Sequence, residues 1–434
     1  PPDLLGGHGQ VAVELAVDQV GVVEQRRVHR QPVGALLDPH ERAELLAEVV
    51  QLPSFPAAEV DRLRDERLND ILQARADPRR RADEAFVERI YTPDSPYHRP
   101  AAGLPETVAP LGSRHLREAY EDGLDPARSV LVVGGDLSGL DVPALADRLF
   151  GTWRGSERAG PARPIVARSA VRERVVHVVH RPGAVQTEVR VGHVGLPRRI
   201  PDFHALSLMS AILGGLFNSR LNMKLREERG YTYGAGASFD LRRGPGPFSA
   251  RAAVHTAATV PAVLDILVEL ERMRDAPVGE DELRAARDFL VGVFPLRFET
   301  PGPVVAALSG LFVHELPDDE LRRYRGAIEA VTIDDVLQAA RTRLRLEELA
   351  IVLVGDVDAF GAELEAARIG PVEVERDVGP RTEGPLEGVE EELGPVDEQE
   401  DVGPAPGARE PPDEADEEPA DVDLGAEGLT GGPS

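Results

Sequence analysis

Val130-Leu131-Val132-Val133-Gly134-Gly135-Asp136 joins four aliphatic residues to two glycines and an aspartate. A run this short and apolar, closed by turn residues, predicts a buried strand, because a helix needs roughly ten residues or more. The pattern returns as Ile351-Val352-Leu353-Val354-Gly355-Asp356, and a helical segment precedes each copy, Leu116-Arg117-Glu118-Ala119 and Val336-Leu337-Gln338-Ala339. Residues 116 and 336 set the offset at 220. A second pair of anchors, Glu59 with Arg64-Asp65 and Glu282 with Arg287-Asp288, is 223 apart. Two anchors with nearly one offset predict an α+β fold: a tandem repeat of a unit with a mainly antiparallel sheet flanked by helices, each unit closing on strand, Gly-Asp and helix. The alternative is chance likeness between two helix-then-strand segments.

Working outward, helices are predicted over 42–51, 57–76, 80–90, 113–123 and 142–150, with a Pro53–Pro56 break and a loop over 91–103. After an Arg-, Gly- and Pro-containing linker at 155–164, Arg172–His180 and Gln186–Val194 read as two strands. A helix from about Phe203 to Leu213 ends at Gly214-Gly215, and another covers Asn218–Arg229. Tyr231–Leu241 and Phe248–His255 read as a hairpin across Gly244-Pro245-Gly246, and helical patterns fill 260–344. The second copy starts near Arg172, so the repeat places the first copy's opening strands and first helix about 50 residues before Pro1, outside this sequence. The first copy is therefore incomplete. Residues 1–38 show no likeness to the second copy. Lys224 is the one lysine beside 48 arginines, which with abundant Ala, Gly and Pro points to a G+C-rich gene. Alternative frames of such DNA stay open, so a frame error or wrong start is one explanation of this segment.

The net charge of −27 looks like a statement about partners until it is divided by region. Residues 371–434 hold 21 acidic and 3 basic residues, leaving −9 for the rest. Phosphate binding needs a clustered excess of Lys and Arg, so nucleic acid is excluded as a partner. Cysteine is absent, which removes disulfides, thiol nucleophiles and cysteine-held metals. No run approaches the roughly 18 apolar residues that span a bilayer. The expectation is a soluble protein, periplasmic or cytoplasmic, with the compartment otherwise unknown.

Ile212-Leu213-Gly214-Gly215, Asn218-Ser219-Arg220-Leu221, Leu225-Arg226-Glu227-Glu228 and Gly230-Tyr231-Thr232-Tyr233-Gly234, taken together, resemble the second-domain signature of insulinase-like (pitrilysin-type) zinc peptidases. Pro53-Ser54-Phe55-Pro56, Asp77-Pro78 and Ser95-Pro96-Tyr97 are similar to the family's pattern after its zinc helix. The likeness covers about residues 40–369. Taken with the repeat and the composition, it divides the chain into four segments: 1–38 unassigned and possibly mis-framed, 39–160 an incomplete first insulinase-like domain, 165–370 a second, and 371–434, rich in Pro, Gly, Glu and Asp, an acidic disordered tail. In this family a clam-shell encloses a peptide and zinc is held by H-x-x-E-H plus a distal Glu, the Glu between the histidines serving as general base.

None of the eleven histidines here forms that motif. The resemblance therefore implies no cofactor in this chain, zinc belonging to intact family members, and no catalytic or metal-ligating residue. Glu59 and Asp61 lie in the helix expected to carry the distal ligand but read as solvated charges. His177 and His180, three apart on a strand, point to opposite faces and make a poor metal pair. Relatives hold the peptide backbone with an arginine and a tyrosine from the second-domain stretch. Tyr231 matches the tyrosine, Lys224 stands where the arginine is expected, and Arg220 and Arg226 are close enough to substitute; Tyr233 lies two residues on. The competing reading is that both tyrosines fill a half-buried strand. Three functions remain open: a catalytically incomplete, peptide-binding half that joins a zinc-bearing homologous subunit; a zinc metalloendopeptidase whose motif was lost from this sequence by a wrong start or frame in reading the gene; or a non-enzymatic structural protein of the same fold.

Overall fold

The computed structural model describes residues 11–15, 38–155 and 165–376, the first of these as backbone only. The expectations for the rest of 1–38, for most of the linker and for 377–434 lie outside the described residues. The strands are β1 Val11–Leu15, β2 Ser129–Val133, β3 Val175–His180, β4 Gln186–Val194, β5 Ala235–Phe239, β6 Pro247–His255, β7 Ala350–Gly355 and β8 Val372–Arg376. Helices of the first region are α1 Pro39–Gln51, α2 Ala57–Ala76, α3 Pro78–Ile90, α4 Pro105–Val108, α5 Ser113–Gly123 and α6 Val142–Phe150. Those of the second are α7 Phe203–Ser210, α8 Arg220–Asn222, α9 Thr259–Asp275, α10 Glu280–Val293, α11 Pro301–Val313, α12 Glu320–Ala330, α13 Ile333–Arg343 and α14 Val357–Ala367. No described helix is long and apolar enough to cross a membrane.

The result is a mixed α+β fold whose central six-stranded sheet, in the order β5-β6-β4-β7-β3-β8, is flanked by helices. The sheet is less antiparallel than expected. β5-β6, β6-β4 and β4-β7 are antiparallel, but β7-β3 and β3-β8 are parallel. Parallel neighbours need long crossovers, and here the chain from β3 returns as β7 only after the helices α7–α13. β7 lies between β3 and β4, so the two strands adjacent in sequence do not pair. Both faces of β7 are covered and both edges are paired, which is why it reads as an unbroken apolar run and buries all six residues.

One sheet face carries the main core with α7, α9, α10, α12, α13 and α14. The other is covered by α3, whose Ala82, Ala85, Phe86 and Ile90 pack with Tyr91 against Val179, Val194, Ala350, Val352 and Val354. Asp77 starts this helix by accepting from the backbone N–H groups of Arg79 and Arg80, with Pro78 at the first helical position. Burying Phe86 and Ile90 contributes about 1.5–3 kcal/mol each. Arg190, 2% exposed on β4, fixes α3 further by donating to Asp83 at 2.6 Å while also pairing with Glu188 at 2.9 Å. The exchange runs both ways: α11, from the second region, packs on β1 and β2, which pair in parallel as a two-stranded sheet.

The boundary drawn at 370 is too early, because β8 lies within the stretch assigned to the acidic tail. Its Glu375 takes hydrogen bonds from Arg81 at 2.8 Å and from His177 at 3.0 Å, and Glu373 pairs with Arg89 at 2.7 Å. These contacts hold the Glu375 carboxyl down to about 2, the His177 hydrogen bond being the largest cause. Charges that read as tail composition are thus the ties of an edge strand.

Candidate peptide-contact site

The signature segment does not fold as two plain helices. α7 runs into a π-helical turn at Ala211–Gly215, and α8 into another at Met223–Glu228. Gly214 explains the first. A Cβ there would stand 2.1 Å from the Ala237 nitrogen and 2.8 Å from the Gly236 carbonyl carbon, so only glycine lets this turn lie against β5. Asn222 ties the same region together, donating to the Leu216 carbonyl at 3.1 Å and accepting from the Ala235 N–H at 2.8 Å. Gly230, at φ +64°, ends the second turn in the left-handed conformation.

The candidate residues separate here. Arg220 is committed: its guanidinium grips Glu282 on α10 in bidentate fashion at 2.7 and 2.8 Å. That bond raises the arginine and lowers the glutamate from their ordinary values. Lys224 pairs with Glu228 at 2.9 Å, one helical turn on, and is raised by that hydrogen bond. Arg226 lies over the Phe217 ring, 4.6 Å from its centre, and is partly exposed. Tyr231 packs its ring against the main core while its carbonyl accepts from the His255 N–H at 3.2 Å. Tyr233 is 89% exposed. Neither tyrosine lies in the strand predicted from Tyr231, since β5 begins only at Ala235; Tyr231 is half-buried against the core all the same, and Tyr233 is not. Phe217, 70% exposed, was missed from sequence; an aromatic beside a glycine pair carries no periodic signal there.

Beside this ledge lies the outer face of β5 and β6. Phe248, Ala250, Ala252 and Val254 turn into the core, so Ser249, Arg251, Ala253 and His255 face the other way, with Gly236 and Ser238 alongside on β5. The far end is closed by the first region, where the Tyr91 hydroxyl donates to the Pro245 carbonyl at 2.8 Å and the Tyr97 hydroxyl accepts from the Gly244 N–H at 3.2 Å.

The described residues do not fit zinc. His177 accepts from Arg89 at 2.7 Å and bonds Glu375, on the α3 side of the sheet. His180 meets Asp356 and Asp358 in the one candidate metal group among the described residues. Its Nδ1 accepts from the Val357 N–H at 3.2 Å, while Asp356 accepts from Gly183 and Asp358 as the cap of α14. This is a helix start that satisfies its own donors, with a single imidazole and carboxylate oxygens already engaged by backbone N–H groups, where catalytic zinc sets bring two or more His or Cys ligands. Glu59 pairs with Arg62 at 2.9 Å and Asp61 with Arg64 at 2.8 Å, all on α2. His193 is buried between Phe239 and Phe248, and burial pulls it down to about 4.

A family profile described as "Peptidase M16 inactive domain" matches residues 111–290. An uncharacterized zinc protease of Mycobacterium leprae is 27% identical over 321 residues, spanning 71% of this chain and 69% of that protein. A protein named non-peptidase homolog YmxG, of Helicobacter pylori, is 20% identical over 317 residues, 72% of this chain and 71% of its own. Among solved structures, a peptidase M16 inactive domain from Pseudomonas fluorescens superposes with a TM-score of 0.66 at 24% identity, covering 73% of this chain and 75% of that one. A Helicobacter pylori protease gives 0.63 at 18% identity, covering 73% and 76%.

Proposed function

Because this chain belongs to the insulinase-like (pitrilysin-type) family and is a catalytically incomplete homologue without H-x-x-E-H, we propose that it serves as the peptide-binding half of a zinc peptidase assembly. The zinc would come from a homologous subunit. The observation that carries this reading is the ledge itself. Gly214, Asn222 and Gly230 spend backbone geometry and hydrogen bonds on presenting Tyr233, Phe217 and Arg226 to solvent beside an open sheet face. Exposed aromatics on a rigid support suit an extended polypeptide. Tyr231 holds the base of the ledge, Lys224 is paired with Glu228 on the turn that leads into it, and Arg220 supports it from below through Glu282.

The tandem-repeat reading belongs here too. α5 starts at 113 and α13 at 333, 220 apart; α3 starts at 78 and α11 at 301, 223 apart. Each helix of the second pair covers the other region's sheet, which duplication of one unit explains economically. A soluble protein, periplasmic or cytoplasmic, suits this role.

The test is metal analysis and peptide cleavage by the purified chain, alone and mixed with a zinc-bearing homologue. We expect no stoichiometric zinc, no cleavage alone, and cleavage restored or raised in the mixture. Stoichiometric zinc in the isolated chain would defeat the reading and favour an intact peptidase, as the relatives' name of zinc protease does. Failure either to bind extended peptides or to assist the homologue would favour a structural role.

A further inference from the structure

Facing positions on neighbouring strands share a sheet face, so the register places Arg251 of β6 between Gly236 of β5 and Arg190 of β4. Two arginines side by side are unfavourable unless their charge is answered. Arg190 is answered by Asp83 and Glu188 and buried under α3. Arg251 is exposed, and among the described residues no carboxylate pairs with it. In the next row Ser238 and Ser249 face each other, with Gly192 beyond. The surroundings of Arg251 are therefore small and hydroxylated: Gly236, Ser238, Ser249 and Ala253 leave the guanidinium uncovered and offer hydrogen-bond donors beside it. His255 completes the row on β6, and its N–H joins this strand to Tyr231 at the base of the ledge. With Asp83 and Glu188 both committed to Arg190, Arg251 is left as the unanswered cation of this face among the described residues, in a chain that is acidic overall.

We propose that Arg251 receives a carboxylate of the extended polypeptide that lies along the outer face of β5 and β6. This rests on the peptide-binding reading and adds to it a chemical preference, for a segment that bears an acidic side chain or ends in a free carboxylate. A planar guanidinium donates to either in bidentate fashion. The flat floor lets the polypeptide backbone come close enough for the two serines to bond it.

Three fluorescein-labelled probes separate the sources: acetyl-Ser-Thr-Val-Ser-Glu-Ser-Val-Thr-Ser-amide, its Gln twin, and the Gln twin with a free carboxyl terminus. Anisotropy titration of the full chain should give one of the two carboxylate probes an affinity about tenfold above the neutral twin. The winner identifies the source. Arg251→Ala should erase that advantage and leave the neutral twin's affinity unchanged, while Arg251→Lys should keep part of it. Arg172→Ala, removing another exposed arginine, should change nothing. Because Arg251 is exposed, an unchanged melting temperature would show that the variants are folded. Equal binding of all three probes, or an advantage that survives in Arg251→Ala, overturns the proposal while leaving peptide binding standing. If no probe binds, both fall together.

Discussion

Replacing Gly214 with alanine tests how the ledge is built. The added methyl would sit 2.1 Å from the Ala237 nitrogen, 2.8 Å from the Ala237 Cβ and 2.8 Å from the Gly236 carbonyl carbon. Two of these three obstacles are backbone atoms of a sheet strand, which cannot swing aside as the end of a long side chain can. Overpacking a tight site costs about 1–3 kcal/mol, and backbone obstruction puts this site near 3. For a protein of this size each kcal/mol moves the melting midpoint by about 2 °C, so Gly214→Ala should melt roughly 6 °C lower. It should also bind peptide more weakly, because the turn that carries Phe217 is pushed off β5. The matched control is Gly292→Ala on α10, where nothing lies within 4 Å of the new methyl. Alanine is the better helix former, so that variant should be level with the parent or gain about 0.5 kcal/mol. The measurement is differential scanning fluorimetry of the two variants with peptide anisotropy on each. If Gly214→Ala melts within a degree of the parent, the close approach of the π turn to β5 is not what holds the ledge.

Three other outcomes are expected. His193 is held neutral at about 4 against 6.5 unfolded, so the unfolded chain takes up its proton first. Its contribution is whole above pH 6.5 and falls by about 3 kcal/mol as pH drops toward 4; His193→Asn should flatten the urea-midpoint profile in that window and no other. Glu282→Gln should cost about 1–2 kcal/mol by leaving Arg220 half answered in a mostly buried position, and Arg220→Gln should cost about the same; a double variant equal to the sum of the singles would deny their coupling. Tyr233→Ala should leave the melting temperature within a degree, since the ring is almost wholly exposed, and weaken peptide binding severalfold; unaltered binding would remove Tyr233 from the contact surface.

Local pattern carried much of the fold. α2 runs over 57–76 and α5 over 113–123 as the helical pattern predicts, while α3 begins at Pro78, two residues before the predicted 80, because Asp77 caps it and Pro78 fits the first turn. β7 was legible because a strand covered on both faces is apolar throughout. What escaped depends on distant partners. In β8 the sequence Val372-Glu373-Val374-Glu375-Arg376 alternates over only five residues before an acidic stretch, and Arg81, Arg89 and His177, which give it meaning, are some 200 to 290 residues away. The site was legible as a motif and obscure as geometry. The spacing of Arg220, Lys224, Arg226 and Tyr231 marks the segment, but only the fold shows that Glu282 occupies Arg220 and that Arg251, on another strand, has no carboxylate partner among the described residues.

α3 also imposes an order on how this chain is made. Its Phe86 and Ile90 leave the ribosome long before Val352 and Val354, two of the strand residues that cover them. At about 5–20 residues per second the wait is roughly 15–50 s. For that time the helix face lacks β7, the central strand of its cover, and the first region cannot be completed and set aside while the second is synthesised. Cutting the gene at the 155–164 linker therefore separates a helix from its sheet; a cut before Asp77 keeps them together.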